Sequence, residues 1–445
     1  MTKELNAGAF LQDLERRGLL HQATDRQALE THLKESRSVY AGFDATKDSL
    51  TIGNLVSIMM LRRFQKAGHE PVVLMGGGTG LIGDPSGKDA ERQLLTREGV
   101  QKNVEGQARI FAQILGKGEK DDLSAETPFV QRPSRTVNNQ DWIEGISYID
   151  ALRDIGKHFS VNMMMQKDSV KSRLESRERG ISYTEFSYMI LQAYDFSHLA
   201  DNSAVTVQIG GSDQWGNIVA GVDLTRRRFN QTVFGLTTPL LTKSDGGKFG
   251  KTEDGAIWLT ADRTSAYAFY QFWLNASDED VATFLKFFSE ESMDEIESLI
   301  ERHQENPGAR EAQKHLAKEM TELLHGRPKM EEAQRASVAL FTGDVGDLSA
   351  ELIDDVFGAA PKTELSRAAI EGSGIPLVEL LIEAGAAKSK REARQFISSG
   401  AVSLNGEKVK EEVDIQADKL LHDEYLLLRR GKKNWYVLKV EASQS

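Results

Sequence analysis

The sequence predicts an α/β fold in which a parallel sheet is followed by an all-helical region and a small C-terminal α+β domain. Short apolar strands alternate with helices in the first third of the chain, and residues 261–341 then show helical periodicity without strand-like alternation. The last stretch contains two helices and two hairpin patterns. We place the domains at 1–240, 241–345 and 373–445, with a linker at 346–372.

Strands in the first domain are predicted where short apolar runs end in turn-forming residues. These runs lie at 38–43, 71–75 and 205–209, and a helix is predicted at 52–66 between the first two. Strands that alternate with helices favour crossover connections and parallel pairing. The carboxyl ends of such strands should therefore meet at one edge of the sheet, where open α/β sheets bind ligands.

Turn-forming residues predict where the helices and hairpins of the C-terminal domain end. Two helices are predicted to end at Gly385 and Gly400, which are typical helix-terminating residues. The alternating run VSLNGEKV contains Asn405-Gly406, a strong signal for a two-residue hairpin. A second hairpin is predicted to turn near Gly431. Residues 342–372 contain few large apolar side chains, and this is the basis of the linker prediction.

Composition excludes several classes of protein. The 445 residues include no cysteine, which rules out disulfides, thiolate metal sites and a cysteine nucleophile. The net charge of −12 argues against non-specific coating of nucleic acid, although it leaves room for local basic patches. No run of roughly 20 apolar residues is free of charge, so we expect no membrane span and take the cytoplasm as the default location.

The start of the helix predicted at 52–66 is suited to a nucleotide. Gly53 leaves the surface there without a side chain, so a flat ring such as adenine could lie against the backbone. The free N–H groups and the dipole at a helix start favour phosphate. Thr46, Thr51 and Asn54 offer neutral hydrogen-bond partners. An ordinary capped helix would show the same residues, so this segment by itself is a weak signal.

A glycine cluster at 76–83 follows the second strand and ends at an acid, Asp84. Glycines let a ligand approach the backbone closely, and a carboxylate at a strand end suits an amino group. The spacing fits neither a P-loop nor a dinucleotide fingerprint. Lys88 and Arg92 follow at i, i+4 spacing and could neutralise phosphate. A structural turn and a solvated basic face are the alternatives.

A polar stripe runs along one apolar helix. Tyr188, Gln192 and Asp195 have i, i+4, i+7 spacing, which places them on one face. If that face is buried, the stripe needs hydrogen-bond partners, and a small polar ligand is one candidate. A second turn of glycines and polar residues, at 210–217, follows the next strand. The alternative is a helix with a polar outer face.

The segment 241–252 combines glycines with three lysines. Lys248 and Lys251 would supply point charges for a polyphosphate, and such a loop could stabilise the charge of a departing pyrophosphate. A plain surface loop is the alternative.

Together these segments resemble the class I aminoacyl-tRNA synthetases, and among them the bacterial tyrosyl enzymes. The matching stretches are YAGFDAT, TIGN in place of the family's HIGH, GGGTGLIGDPSGK, LQAYDF, QIGGSDQWGN and KFGKT in place of KMSKS. The C-terminal SKREARQFISSGAVSLNGEKV resembles an S4-type RNA-binding fold. The resemblance implies a Rossmann-like catalytic domain, a helical domain and an S4-like domain. It also implies a tyrosine–tRNA ligase that uses ATP and its Mg²⁺, without a tightly bound cofactor or a metal site.

The resemblance implies roles for individual residues. Those implied to hold tyrosine are Tyr40 and Asp195 at the phenolic hydroxyl, Asp84, Tyr188 and Gln192 at the amino group, and Gln214 near the carboxylate. Those implied to lie near ATP are Gly42, Asp44, Gly53, Gly211, Asp213 and Lys251. Those implied to stabilise the reacting phosphates are Thr46, Thr51, Asn54, Lys88, Arg92, Lys248 and Lys251. Attack of a carboxylate on a phosphorus needs positioning and charge neutralisation rather than a protein nucleophile.

Two basic clusters are candidates for tRNA phosphates. They consist of Lys388, Lys390, Arg391 and Arg394 on a predicted helix, and Arg429, Arg430, Lys432 and Lys433 at a predicted hairpin turn. An exposed charged surface is the alternative. Dimerisation is expected from the resemblance alone, with one tRNA bound across two subunits.

One departure from the family pattern bears on activity. Thr51 and Asn54 replace both histidines of HIGH, and neither can carry positive charge, so we expect activity with a weaker contribution from Thr51. This departure is the best support for one rival, an inactive relative that only binds RNA. Activation of another amino acid such as tryptophan, and a nucleotidyltransferase without an RNA substrate, are the other rivals. The Tyr40–Asp195 pair and the C-terminal module respectively argue against those two.

Overall fold

A computed structural model describes most of the chain and separates it into two units. The described residues are 5–84, 95–116, 133–167, 170–171, 174, 181–247, 249–252, 255–346, 348–358, 360–431 and 434–440. The first unit comprises Met1–Arg263 and Ala276–Leu316, and the second comprises Thr264–Asn275 and Ala317–Ser445. The region predicted to be all-helical is therefore divided between the two units.

The described strands and helices are numbered in chain order. The strands are β1 Gln22–Ala23, β2 Ser38–Asp44, β3 Glu70–Gly76, β4 Arg135–Asn138, β5 Val205–Gly211, β6 Phe234–Thr238, β7 Lys251–Thr252, β8 Gly255–Ala256, β9 Lys362–Leu365, β10 Ile375–Pro376, β11 Val402–Leu404, β12 Glu407–Val409, β13 Asp414–Ile415, β14 Tyr425–Arg430 and β15 Asn434–Val440. The α-helices are α1 Ala7–Arg16, α2 Arg26–His32, α3 Ile52–Lys66, α4 Arg97–Leu115, α5 Gln140–Ile143, α6 Tyr148–Asp150, α7 Val161–Met165, α8 Tyr183–Ser203, α9 Trp215–Phe229, α10 Ala266–Leu274, α11 Asp278–Phe288, α12 Met293–Glu305, α13 Glu311–His325, α14 Arg327–Thr342, α15 Ala350–Val356, α16 Arg367–Ile370, α17 Leu377–Glu383 and α18 Lys390–Ser398. Short 3₁₀ or π turns lie at Thr79–Leu81, Ala151–Ile155, Gly156–His158, Ser212–Gln214, Pro307–Ala309 and Ala417–Lys419.

The first unit contains a six-stranded sheet whose order positions the site. The strands lie in the order β1-β6-β5-β2-β3-β4, with β2 to β6 parallel and the edge strand β1 antiparallel to β6. Strand β3 is almost wholly buried, and the middle residues of β2 and β5 are mostly buried, as expected for parallel strands covered on both faces. The chain leaves β2 in one direction to β3 and later returns to β5 on its other side. A cleft is expected where the connections diverge, at the carboxyl ends of β2 and β5.

The second unit contains a five-stranded sheet in the order β12-β11-β14-β15-β9. The predicted Asn405-Gly406 turn is confirmed: Val402 pairs with Val409, and both turn residues have positive φ, of 47° and 92°. The second predicted hairpin is also confirmed, with Gly431 at φ 69° between β14 and β15.

The segment 346–372 differs from the linker predicted there. It contains α15, β9 and α16, and β9 pairs in parallel with β15. Leu365 of β9 is buried in the core of the C-terminal sheet. A short edge strand needs only one or two apolar side chains to be held there, which is why a low apolar content did not distinguish it from a linker. In the described part of the chain, no helix combines the length and the apolar character that crossing a membrane requires.

Candidate active site

A cavity of about 360 Å³ lies at the carboxyl ends of β2, β3, β5 and β6. It collects almost all of the described residues that were predicted to bind a small molecule. Those lining it are Tyr40, Gly42, Asp44, Gly53, Asn54, Asp84, Tyr188, Gln192, Asp195, Gly211, Asp213 and Gln214. Residues far apart in sequence thus meet because parallel strands end at the same edge of the sheet.

Some predicted residues do not line this cavity or cannot be placed. Thr46 and Thr51 are described, but they are not among its lining residues. Lys88, Arg92 and Lys248 lie outside the described residues. Lys251 belongs to β7, which pairs with β8, but its side chain is also outside what the structure describes.

Tyr40 and Asp195 form a buried polar pair at the cavity wall. Both side chains are within about one per cent of full burial. In the described part of the chain, the Tyr40 hydroxyl has no hydrogen-bond partner. Burial, followed by the nearby Asp195 carboxyl, raises the pKa of Tyr40 well above its usual value. A buried hydroxyl without a partner is costly, so this atom is the point at which a ligand would be stabilising.

Two residues that the sequence analysis missed hold Asp195. The Trp142 indole Nε1–H donates to Oδ1 at 2.8 Å, and the Asn139 amide donates to Oδ2 at 2.9 Å. Burial raises the pKa of Asp195 to about 7, although these two hydrogen bonds act in the opposite direction and Asp44 adds to the rise. The carboxylate is therefore oriented before any ligand binds.

Asn139 also fixes the glycine turn. Its Oδ1 accepts from the Gly78 amide at 2.7 Å, and its Nδ2 donates to the Thr79 hydroxyl at 3.0 Å. The sequence contained an indication of this residue, since Asn138 ends β4 and Asn139 follows it, at the same edge of the sheet. Strand β4, RTVN, is too short and polar to be identified from its own period.

Asp44 stands at the centre of a second hydrogen-bond network. Both of its carboxylate oxygens lie 3.2 Å from the Tyr188 hydroxyl, which donates to them. Oδ1 also accepts from the Thr79 hydroxyl at 2.9 Å, and Oδ2 accepts from the Asp84 amide at 3.0 Å. The end of β2 is thereby joined to the glycine turn and to the polar face of α8. Burial and then the Asp44 charge raise the pKa of Tyr188 well above its usual value, so it stays a neutral donor.

A chain of amides joins the rest of the polar stripe to two carboxylates. Gln192 donates to Gln214 Oε1 at 3.2 Å, and Gln214 Nε2 donates to Asp84 at 2.7 Å and to Asp213 at 3.2 Å. Burial raises the pKa of Asp213, the amide of Gln214 lowers it, and Asp84 raises it. Two acids this close to one amide make this side of the cavity favourable for a cation.

At the start of α3, Thr51 and Asn54 of the TIGN segment hydrogen-bond to each other. Asn54 Oδ1 accepts from the Thr51 amide at 3.0 Å and from the Thr51 hydroxyl at 3.1 Å. The hydroxyl predicted to donate to phosphate therefore donates within the helix cap instead. The oxygen of Asn54 is occupied, which leaves its NH₂ group to donate to a ligand. A Cβ on Gly53 would meet only the Thr51 hydroxyl oxygen, at 3.7 Å, so the cavity side of this position is open.

The lysine loop lies against the same helix start. The segment that follows the loop pairs with this helix start, since the Ile52 amide donates to the Ile257 carbonyl at 2.9 Å and Thr51 forms a bridge with Trp258. Gly250 has φ 80°, and a Cβ there would collide with the Ile52 side chain, so this close approach requires glycine. Phe249 lines the cavity and is buried. The loop thus lies beside the end of the cavity that Gly53 and Phe249 line.

The predicted basic clusters of the second unit differ in exposure. Lys388, Lys390, Arg391 and Arg394 are exposed at the start of α18, where Lys390 pairs with Glu379 and Arg394 with Glu412, each at 2.8 Å. Lys432 and Lys433 lie outside the described residues. Arg429 and Arg430 are half-buried in β14 rather than at an exposed turn. The first lies over the Trp435 ring, and the second donates to the Ala386 carbonyl at 2.6 Å. Both arginines therefore have packing roles.

Comparison with known proteins gives a consistent family assignment. Residues 32–342 match the family of class I tRNA synthetases (W and Y), and residues 353–438 match the tyrosine–tRNA ligase SYY-like C-terminal domain. A tyrosine–tRNA ligase of Staphylococcus haemolyticus is 48% identical over 97% of this chain and 99% of its own length. One of Geobacillus kaustophilus is 49% identical over the same shares.

A solved structure is similar to most of the chain. It is a C-terminally truncated mitochondrial tyrosyl-tRNA synthetase of Aspergillus nidulans, 32% identical, with a TM-score of 0.66. The match covers 75% of this chain and 94% of that one.

Proposed function

The chain belongs to the class I tRNA synthetases, within the tyrosine–tRNA ligases, and from this premise we propose how its own residues carry out the reaction. It activates tyrosine with ATP and charges tRNA with the product. The tyrosine carboxylate attacks the α-phosphorus of ATP, the bond to the bridging oxygen of the β-phosphate breaks, and pyrophosphate leaves. A hydroxyl of the terminal adenosine of tRNA then attacks the carbonyl carbon of tyrosyl-adenylate, and AMP leaves.

The observation that carries the residue assignment is the buried, unpartnered hydroxyl of Tyr40 beside the oriented carboxylate of Asp195. A phenolic hydroxyl can accept from Tyr40 and donate to Asp195 at once. It would satisfy the Tyr40 hydroxyl and add a further hydrogen bond to Asp195, whereas phenylalanine would leave the Tyr40 hydroxyl unsatisfied and give Asp195 no additional donor, at a cost of about 1–3 kcal/mol or more. These two residues therefore read the hydroxyl that distinguishes tyrosine.

The amino and carboxylate groups of tyrosine would bind at the opposite side of the pair. Asp84 supplies negative charge for the ammonium, and the amides of Gln192 and Gln214 supply adaptable donors and acceptors. Tyr188 acts mainly by holding Asp44, to which its hydroxyl donates. The polar stripe of α8 thus orients the amino acid along the cavity.

ATP would occupy the glycine-lined end. Gly42, Gly53 and Gly211 leave backbone exposed to the nucleotide, with Asp44 and Asp213 as polar partners. Asn54 would donate through its amide NH₂. Thr46, Lys88, Arg92, Lys248 and Lys251 are proposed to stabilise the pyrophosphate portion.

The Mg²⁺ that accompanies ATP would be held through phosphate oxygens and water, as this ion commonly is. In the part of the chain that the structure describes, no group of three or more acidic or histidine side chains is arranged to hold a metal ion.

The exposed cations of α18 are proposed to bind tRNA phosphates. Arg391 and Arg394 line one shallow cleft together with Lys410. Phosphate contacts of this kind position an RNA without reading its sequence. Arg429 and Arg430 remain predicted tRNA contacts, but their ring and carbonyl contacts favour a supporting role. We also propose that the protein acts in the cytoplasm, where tRNA is charged.

Replacing Tyr40 with phenylalanine tests the tyrosine assignment. We expect kcat/KM for tyrosine in ATP–pyrophosphate exchange to fall roughly tenfold, because one neutral hydrogen bond to the substrate is lost. The free energy of unfolding should stay the same or rise by about 1 kcal/mol, because a buried unsatisfied hydroxyl is removed. Unchanged use of tyrosine, or better exchange with tryptophan in the unaltered protein, would contradict the assignment.

We propose a homodimer that uses an exposed apolar patch on the first unit. We use the name apolar patch for the exposed large apolar side chains in the described part of the segment 148–183, which are Tyr148, Ile149, Leu152, Val161, Met163, Met165, Leu174 and Tyr183; Ile149 is 68% exposed. Several exposed apolar side chains in one segment are typical of an interaction site. Because most soluble oligomers are symmetric homo-oligomers, we propose a second copy of this chain as the partner.

Changing Ile149 to aspartate places a charge in this patch. We expect sedimentation analysis to show a shift from dimer towards monomer, because a charge buried at the interface would lack a partner. The matched control is Val338→Asp, which places the same charge at a valine that is 54% exposed in the second unit. If both variants sediment like the unaltered protein, this patch is not the interface.

A further inference from the structure

One face of α11 carries three side chains that hold the lysine loop from both sides. Asp280, Phe284 and Phe288 are spaced four residues apart and therefore lie along one face of the helix. Asp280 Oδ1 accepts from the Ser244 amide at 2.8 Å. On the other side of the loop, the Phe249 ring lies 5.0 Å from that of Phe284 and 5.4 Å from that of Phe288.

The loop between these two anchors is a closed turn. The Lys243 amide donates to the Gly247 carbonyl at 3.0 Å, and the Gly246 amide donates back to the Lys243 carbonyl at 3.0 Å. Asp245 accepts from the Gly247 amide at 2.7 Å. These contacts among Lys243, Asp245, Gly246 and Gly247 fix the shape of the turn. The hydrogen bond from the Ser244 amide to Asp280 joins this end of the loop to α11.

The same helix is also tied to the helix that begins at TIGN. Arg63 of α3 donates to the Phe287 carbonyl at 3.2 Å and to the Ser289 carbonyl at 2.9 Å, at the end of α11. The buried guanidinium of Arg17 reaches the Ser289 carbonyl as well, at 3.1 Å. α11 is thus fixed relative to α3, and a loop held by α11 is held relative to the nucleotide end of the cavity.

We propose that Asp280 is a positioning residue for the activation step, which holds the lysine loop beside the cavity through the Ser244 amide. The inference rests on the proposed role of this loop in stabilising pyrophosphate. Asp280 is not among the residues that line the cavity, so it acts through the loop and not on a substrate. It is buried, and its second oxygen accepts from the Ser277 hydroxyl at 2.8 Å within the helix cap. A test of the proposal must therefore distinguish the hydrogen bond that Asp280 forms with Ser277 in the helix cap from the one that it forms with the Ser244 amide of the loop.

The test compares four variants of the full chain in ATP–pyrophosphate exchange. Asp280→Ala should lower kcat by about tenfold, because a misplaced charge-stabilising group acts on the transition state, while KM for tyrosine stays the same. Asp280→Asn keeps an acceptor for the Ser244 amide and should restore most of the activity. Ser277→Ala removes the cap contacts but keeps that acceptor, and Glu279→Ala removes an exposed acid from the same turn. Both of these should behave like the unaltered protein.

Limited trypsin cleavage after Lys243 gives a second readout that is independent of catalysis. Asp280→Ala should be cut there several-fold faster than Ser277→Ala, because cleavage requires local opening of the turn. Equal kcat and equal cleavage rates for these two variants would overturn the proposal, as would a loss in Asp280→Asn as large as that in Asp280→Ala. If the unaltered protein gave no exchange with tyrosine, the proposed function would fail, and this is a different outcome.

Discussion

Replacing Asp195 with alanine should reduce kcat/KM for tyrosine by roughly 100-fold, because a hydrogen bond to a charged group is lost in a buried site. The Trp142 indole and the Asn139 amide that orient this carboxylate would also lose their acceptor. Phenylalanine has no hydroxyl to donate to this carboxylate, so kcat/KM for phenylalanine, which we expect to be much lower, should stay the same or rise in the variant. The measurement that tests this prediction is therefore the ratio of kcat/KM for tyrosine to kcat/KM for phenylalanine in pyrophosphate exchange.

The pH profile checks that the charge of Asp195 is responsible. Its pKa is raised to about 7, chiefly by burial, so the carboxylate is ionised above that pH and protonated below it. Binding through the ionised form predicts that kcat/KM for tyrosine in the unaltered protein increases with pH up to about 7 and then levels off. Asp195→Ala should lack this rise. A variant that is folded by circular dichroism and still prefers tyrosine as strongly as before would contradict the assignment.

Changing Asp84 to asparagine should raise KM for tyrosine by roughly 30- to 100-fold, because it removes the charge proposed to attract the substrate ammonium while keeping the side chain's shape. Gln214 would still find an acceptor oxygen at this position. KM for ATP should change little. Tyrosine analogues that lack the amino group should bind the variant and the unaltered protein with similar affinity.

Asp213→Asn is the reciprocal control. Asp213 shares the Gln214 amide with Asp84 but is assigned to the nucleotide, so its loss should raise KM for ATP and leave KM for tyrosine almost unchanged. If the two variants affect the same substrate, the division of the cavity into an amino-acid side and a nucleotide side is wrong.

The elements that the sequence predicted well are those whose signal is local. The buried strands β2, β3 and β5 appear as apolar runs, and the hairpin at Asn405-Gly406 follows from two residues that tolerate positive φ. The stripe of Tyr188, Gln192 and Asp195 follows from helical period, and all three line the cavity. In each case the residues that form the pattern lie close together in the sequence, so the pattern is visible without knowledge of the fold.

The features that the sequence did not predict depend on partners distant in the chain. Strand β9 was taken for a linker because its stability comes from pairing with β15 and not from its own composition. Arg429 and Arg430 were predicted as candidates for tRNA phosphates, but both are partly buried, the first over the Trp435 ring and the second with a hydrogen bond to the Ala386 carbonyl. The hydrogen bonds from Asn139 and Trp142 to Asp195 could not be predicted from the sequence, because only the fold brings these residues together.

By itself the sequence determined the kind of fold, the family and most of the polar residues that line the cavity, because motif order and residue type carry that information. Only the tertiary structure decided what each polar group does when no substrate is bound. It left the Tyr40 hydroxyl without a partner, directed the Thr51 hydroxyl into a helix cap and held the lysine loop through Asp280. Hydrogen bonds are short and directional, so their pairing is fixed by where the folded backbone places the donors and acceptors.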